Sequence, residues 1–140
     1  MNTRASINQE IVEKFGLVPG WMAEVPDPAF LGFWRLMADF YLAETKIPGK
    51  YKDLIGLAVS GATRCRYCAL FHTEGARLQG ATDEEIAEAS LMGGVTMLGS
   101  TFLNAQQTDY EQFTDETRRI VAYVKQKIAT NAPERAAHAK

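Results

Sequence analysis

An all-α fold is predicted, a single compact helical domain of about six helices. Three observations carry it. Apolar residues recur at three- and four-residue spacing along most of the chain, no sustained alternating run marks a strand, and caps, glycines and prolines punctuate the pattern at helix-length intervals. The domain is placed at residues 1–130, with a flexible C-terminal tail over 131–140.

Ser6 is positioned to cap a short first helix that stops at Gly16. A loop around Pro19, Gly20 and Trp21 leads to Asp27 and Pro28, an N-cap followed by proline at the first helical position, and the second helix then runs to about Thr45. Its Phe30, Phe33, Trp34, Met37 and Tyr41 share one face, the pattern of a core stripe. Pro48 and Gly49 break the chain, and a third helix from about Lys50 carries Leu54, Leu57 and Ala58 to an end near Gly61 and Ala62. Thr63 is expected to cap a fourth helix that holds Cys65, Cys68 and His72 and closes at Gly80.

Thr82, Asp83, Glu84 and Glu85 spell a capping box for a long fifth helix through Ile86, Leu91, Val95, Leu98 and Phe102, apolar enough to expect burial. Within it Gly93, Gly94 and Gly99 match no phosphate loop, because no strand precedes and no Lys-Ser/Thr follows; close helix packing or a bend explains them. A last helix begins near Thr114 or Asp115 and uses Ile120, Val121, Val124 and Ile128. From about Asn131 the alanine-rich, charged sequence has little to bury.

Composition narrows the function. Fifteen Lys and Arg nearly balance 17 Asp and Glu, so no electrostatic drive toward nucleic acid or anionic lipid is expected. No stretch approaches about 20 uninterrupted apolar residues, and the polar start MNTRASINQE lacks the apolar centre of a secretory signal. A soluble, cytoplasmic protein is the expectation.

The only two cysteines lie three positions apart, in Cys65-Arg66-Tyr67-Cys68. In a reducing compartment such a pair reads as redox or metal chemistry before a structural staple. At a helix start, unpaired N–H groups and the helix dipole favour thiolate, and by that argument Cys65, nearer the end and expected to be the more exposed, is the more acidic thiol. His72 follows Cys68 by four residues, which puts an imidazole over the same stripe as a candidate base. Structural zinc needs four ligands, and the one further histidine, His138, falls in the tail, so neither metal nor cofactor is expected. Tyr67 and Phe71 flank the motif as packing residues.

The segment KDLIGLAVSGATRCRYCALFHTEGARLQGATDEEIAEA resembles the core of the carboxymuconolactone decarboxylase-like superfamily, in particular its alkylhydroperoxidase D-like branch, over about residues 50–104. The motif is an acidic residue, Cys-x-x-Cys, a histidine four residues on, and a Gly-Ala-Thr turn into the next helix. The resemblance implies the all-helical fold of that branch, assembly into homo-oligomers such as trimers or hexamers, and reduction of a hydroperoxide by the cysteine pair. A thiol or a lipoylated protein would supply the electrons. It makes Cys68 the attacking thiol, Cys65 the resolving thiol, His72 part of the proton relay and Asp53 its acidic partner. The family usually has glutamate at that position, and Asp53 is one methylene shorter. Orientation of His72 through a water, a weakened relay and a solvated helix-start acid all remain open for it. Tyr67 stands where the hydroperoxidase itself has histidine. Decarboxylating relatives generally lack the cysteine pair, so its presence points to redox chemistry, with a decarboxylase-type enzyme or a non-enzymatic redox-sensing oligomer as alternatives.

Overall fold

The computed structural model describes residues 3–138, with side chains through residue 130. Its described residues form seven α-helices and no strand, with a π-helical turn continuing the third: α1 (Arg4–Phe15), α2 (Gly20–Ala23), α3 (Asp27–Arg35, then the π turn Leu36–Tyr41), α4 (Gly49–Thr63), α5 (Arg66–Leu78), α6 (Asp83–Ala105) and α7 (Tyr110–His138). Contacts group the chain into two compact units, Met1–Val95 and Thr96–Lys140. The expected loose tail from Asn131 lies outside the residues whose side chains are described.

The first unit is built on an aromatic and aliphatic core of Ile7, Ile11, Met22, Phe30, Trp34 and Ala38. Each large side chain taken from water there contributes about 1.5–3 kcal/mol. Glu10 clamps α1 to α3 by accepting from the Trp34 indole at 2.9 Å and from Arg35 at 2.7 Å. These donors, Trp34 first, hold its carboxyl below the ordinary value. Thr3, not Ser6, caps α1: Ser6 fills the third helical position and returns the bond in a reciprocal capping box. Gly16 ends the helix at φ 78°, a left-handed conformation that glycine adopts without Cβ strain.

Asp27 and Pro28 sit inside α3, one position later than expected, with Pro26 before the first turn. The second predicted helix stops at Tyr41, short of Thr45, after a turn closed by the bond from Leu42 N–H to the Met37 carbonyl at 2.8 Å. Such i→i+5 turns hold one residue more than α geometry allows and tend to mark functional sites. Here Phe30 and Trp34 are fully buried as the stripe predicts, whereas Tyr41 leaves the core and reaches α4 and α5. Lys52 of α4 fastens this end by donating to the Phe40 and Ala43 carbonyls at 2.6 and 2.7 Å.

Helices α4 and α5 form a hairpin joined at Arg64, whose φ of 57° and the bond from Cys65 N–H to the Ser60 carbonyl at 3.0 Å make a tight left-handed stop. Gly80 at φ 82° follows α5 as predicted. The capping box of α6 forms, with Thr82 N–H donating to Glu85 and Glu85 N–H to Thr82 Oγ1. Of its three glycines, Gly93 makes the expected close approach: a Cβ there would lie 2.5 Å from the Ala58 carbonyl oxygen of α4, while Gly94 and Gly99 have open space.

The expected burial of α6 does not hold in the single chain. Leu91, Val95, Leu98 and Phe102 are all exposed. The physical reason is that a helix apolar on every side can offer only one stripe to its own chain, here the stripe at Gly93. By length and composition α6 is also long and apolar enough to cross a membrane, a property shared by core helices of soluble proteins. Helix α7 starts at Tyr110, earlier than Thr114, because Asp109 accepts from Gln112 N–H at 2.7 Å and caps it. Its Ile120, Val121, Val124 and Ile128 are exposed.

Candidate active site

Cys65 and Cys68 are joined as a disulfide at the start of α5, with Cα atoms 5.4 Å apart. Thr63 does not cap this helix. It ends α4, where its hydroxyl bonds the Val59 carbonyl at 2.9 Å, and Cys65 itself is the N-cap, its sulfur accepting from Cys68 N–H at 3.2 Å. Sulfur thus takes the place of the usual cap oxygen. When the disulfide opens, a thiolate on Cys65 retains that donor and the positive end of the helix.

Accessibility reverses the expectation: Cys65 is half-buried and Cys68 exposed. The N-cap position tucks Cys65 into the elbow between α4 and α5, while Cys68 stands in the first turn of α5. His72 lies one further turn along the same helix, and Tyr67 and Leu70 beside the cysteines are exposed.

Asp53 is the buried centre of the site. Only 2% of it is exposed, which excludes a solvated helix-start acid. Its Oδ1 accepts from His72 Nδ1 at 2.9 Å and from the Tyr41 hydroxyl, and its Oδ2 accepts from Gln79 Nε2 at 2.5 Å. The shorter aspartate therefore reaches His72 directly, with no water between them. Since a carboxylate only accepts, Nδ1 carries the imidazole proton and Nε2 is the basic nitrogen. The Tyr41 oxygen is 3.4 Å from the same Nδ1. Burial first, then the bond to Asp53 and its charge, push the Tyr41 phenol well above its ordinary range, so it stays a donor.

Three glycines make the space. A Cβ at Gly56 would lie 2.4–2.6 Å from three atoms of the His72 ring, one at Gly75 would lie 2.7 Å from Asp53 Oδ2, and one at Gly49 would lie 1.8 Å from Gln79 Oε1. The α4–α5 contact is thus close enough for a one-carbon carboxylate stem to bridge it. Phe71 sets its ring tilted against Tyr41 at 5.8 Å and edge-to-face with His72 at 5.7 Å, beside the imidazole.

All four residues named from the sequence therefore belong to the α4–α5 hairpin: Asp53 and His72 in direct contact, Cys65 and Cys68 bonded to each other. Tyr41 and Gln79 were missed. Tyr41 resembled one more residue of a core stripe, and Gln79 a polar residue before a helix stop. The one available signal was the presence of Gly49 and Gly56, seven residues apart on α4, and of Gly75 on α5, which mark where a helix face must stay bare.

Comparison with known proteins matches residues 28–107 to the carboxymuconolactone decarboxylase family. A relative described as uncharacterized protein 4 in the cox locus of Paracoccus denitrificans is 32% identical over 81 residues, 58% of this chain and 69% of that protein. Among solved structures, the alkylhydroperoxidase AhpD core of Rhodospirillum rubrum superposes with a TM-score of 0.69 at 24% identity, covering 79% of this chain and 85% of that one. A protein from Methanobacterium thermoautotrophicum superposes at 0.52 with 29% identity, covering 62% of this chain and 96% of the other. The first of these likenesses speaks to the fold, which is that of the AhpD core. With more than half its length matched, the chain belongs to the carboxymuconolactone decarboxylase family.

Proposed function

We propose that this protein is a thiol-dependent peroxidase and disulfide reductase of the alkylhydroperoxidase type. The observation that carries the reading is a disulfide-bonded cysteine pair at a helix start, one turn from an imidazole that meets a buried carboxylate. The Cys68 thiol gives its proton to His72 Nε2, the thiolate attacks the terminal oxygen of the hydroperoxide, an S–O bond forms as the O–O bond breaks, and the departing alkoxide takes that proton from Nε2 to leave as alcohol. The Cys65 thiol then attacks the sulfenic sulfur, water departs, and the disulfide closes. A dithiol or a lipoylated protein returns two electrons and two protons by thiol exchange.

The exposed position of Cys68 and the N-capped Cys65 suit that last step as well. An incoming thiol meets Cys68 first, and Cys65 leaves as the thiolate the helix end stabilises. No cofactor takes part. The protein acts as a homo-oligomer, a trimer or hexamer in which the exposed apolar sides of α6 meet their counterparts, and it works in the cytoplasm, where thiol reductants are available.

Peroxide consumption with a panel of thiol donors, measured on the wild type and Cys68→Ser, tests the reading: turnover that Cys68→Ser abolishes is expected. The name of the family favours one other reading, in which His72 and Asp53 move protons on a small organic acid or lactone without the sulfurs. Activity surviving the double Cys→Ser change would support it.

A further inference from the structure

We infer that Tyr41 and Gln79 are positioning residues of this site, which share the carboxylate of Asp53 with His72 and thereby fix the imidazole with its proton on Nδ1 and its basic nitrogen at Nε2.

For a neutral ring facing an Asp53 carboxylate, the hydrogen bonds give one assignment. Asp53 is 2% exposed and meets three polar partners, so each must be a donor. Gln79 presents Nε2 to Oδ2 at 2.5 Å. Its amide cannot reverse without placing an oxygen against that carboxylate, and bare Gly49 receives its Oε1. Tyr41 gives its single proton to Oδ1, so its oxygen can only accept from His72 Nδ1, 3.4 Å away. Two acceptors, Asp53 Oδ1 and the Tyr41 oxygen, thus face the same ring nitrogen. A free neutral imidazole places its proton mainly on Nε2, so the site inverts the intrinsic preference.

The two residues do this from opposite sides. Tyr41 comes from the π turn after α3, and Gln79 from the C-cap of α5. Without them Asp53 would keep one strong partner and its carboxylate could rotate within the hairpin, releasing the ring.

The kinetic consequence rests on the peroxidase reading, and the tautomer itself does not. Long-range ¹H–¹⁵N spectra of the disulfide form, with the ring neutral and His72 assigned through a His138→Gln variant, report which nitrogen carries the proton. The Nδ1–H pattern is expected in the wild type. A measurable shift toward Nε2–H is expected in Tyr41→Phe and in Gln79→Leu, with Gly49→Ala reproducing Gln79→Leu by displacing the amide. Gln79 is exposed, so its variant keeps the fold, and near-UV circular dichroism checks Tyr41→Phe.

Formation of sulfenic acid by the reduced proteins should slow by about tenfold in Tyr41→Phe and Gln79→Leu, less than the loss of the imidazole itself. Reduction of the disulfide by dithiothreitol, which needs no imidazole, should proceed at the wild-type rate. An Nε2–H pattern in the wild type, or an unchanged Nδ1–H pattern in both variants, overturns the inference. The expected tautomer shifts in a protein that consumes no peroxide would uphold it and sink the peroxidase reading instead.

Discussion

Replacing Gly56 by alanine should cost far more activity than stability. The new Cβ would lie 2.4, 2.5 and 2.6 Å from Cε1, Nε2 and Nδ1 of His72. Ordinary carbon contacts are about 3.5–4.0 Å, so the ring must retreat by about 1 Å or turn out of its place. Overpacking of this kind costs about 1–3 kcal/mol, and turning the ring away instead forfeits a charge-assisted bond to Asp53 worth about 1.5–3 kcal/mol. Alanine in a helix interior returns about 0.8–1 kcal/mol, which leaves a net destabilisation of about 0–2 kcal/mol. The relay, by contrast, depends on the position of the ring. Sulfenic acid formation should therefore fall toward the level of His72→Ala, about 10²–10⁴-fold below wild type. Gly61→Ala on the same helix is the control, since its Cβ meets nothing within 4 Å. It should gain stability with no change in rate. Denaturant melts give the stabilities and stopped-flow with a sulfenic acid probe gives the rates. A Gly56→Ala protein that forms sulfenic acid at the wild-type rate would refute the idea that His72 acts from its place against Asp53.

Gly93→Ala should destabilise by about 1–3 kcal/mol in denaturant melts, because the atom met at 2.5 Å is the backbone oxygen of Ala58, which cannot step aside, whereas Gly94→Ala should not. Stability should decline above about pH 10, and less so in Tyr41→Phe. The phenol's value in the folded state lies above its ordinary 10.0, so its contribution is whole below that pH and is lost as pH rises and the unfolded chain releases the proton first. Mild peroxide should close the Cys65–Cys68 disulfide with a loss of about two hydrogens in intact mass, and dithiothreitol should reopen it; stable sulfinic acid on one cysteine would exclude a resolving role for the other. Sedimentation at micromolar concentration should find a homo-oligomer, and a strict monomer would leave the exposed Leu91 and Val95 of α6 without the proposed partner.

The helices, their stops at Gly16 and Gly80 and the capping box at Thr82 were legible in the sequence because each rests on residues within a few positions of one another. Errors arose where two local signals competed. Thr63 and Cys65 are both close enough to begin α5, and the left-handed turn at Arg64 decides for Cys65 by spending Thr63 on the end of α4. The same turn tucks Cys65 in and leaves Cys68 open. At the site, the spacing of Cys68 and His72 needs only one helix, whereas the partners of Asp53 come from two elements far apart in sequence, the π turn after α3 and the length of α5 to its C-cap. Tyr41 in particular is redirected by a π turn that apolar periodicity does not reveal, since the stripe of Phe30 and Trp34 runs on through Met37 into the turn itself. Direct contact between Asp53 and His72 depends on Gly56 and Gly75 bringing α4 and α5 together, a tertiary fact that a side-chain length alone could not supply.

The division of labour between the two sulfurs is the point at which the physical arguments pull apart. The cap favours thiolate on Cys65, and the imidazole favours chemistry at Cys68. Attack on a peroxide needs a proton for the departing oxygen as well as a thiolate, and only Cys68 has His72 one turn on, which decides for Cys68. Dimedone trapping on the reduced single variants after one equivalent of peroxide tests this directly. Cys65→Ser should give a labelled Cys68 and no turnover, and Cys68→Ser should give almost no label. Label on Cys65 in the Cys68→Ser protein at the wild-type rate would contradict the assignment and leave His72 and Asp53 without a role in the attack.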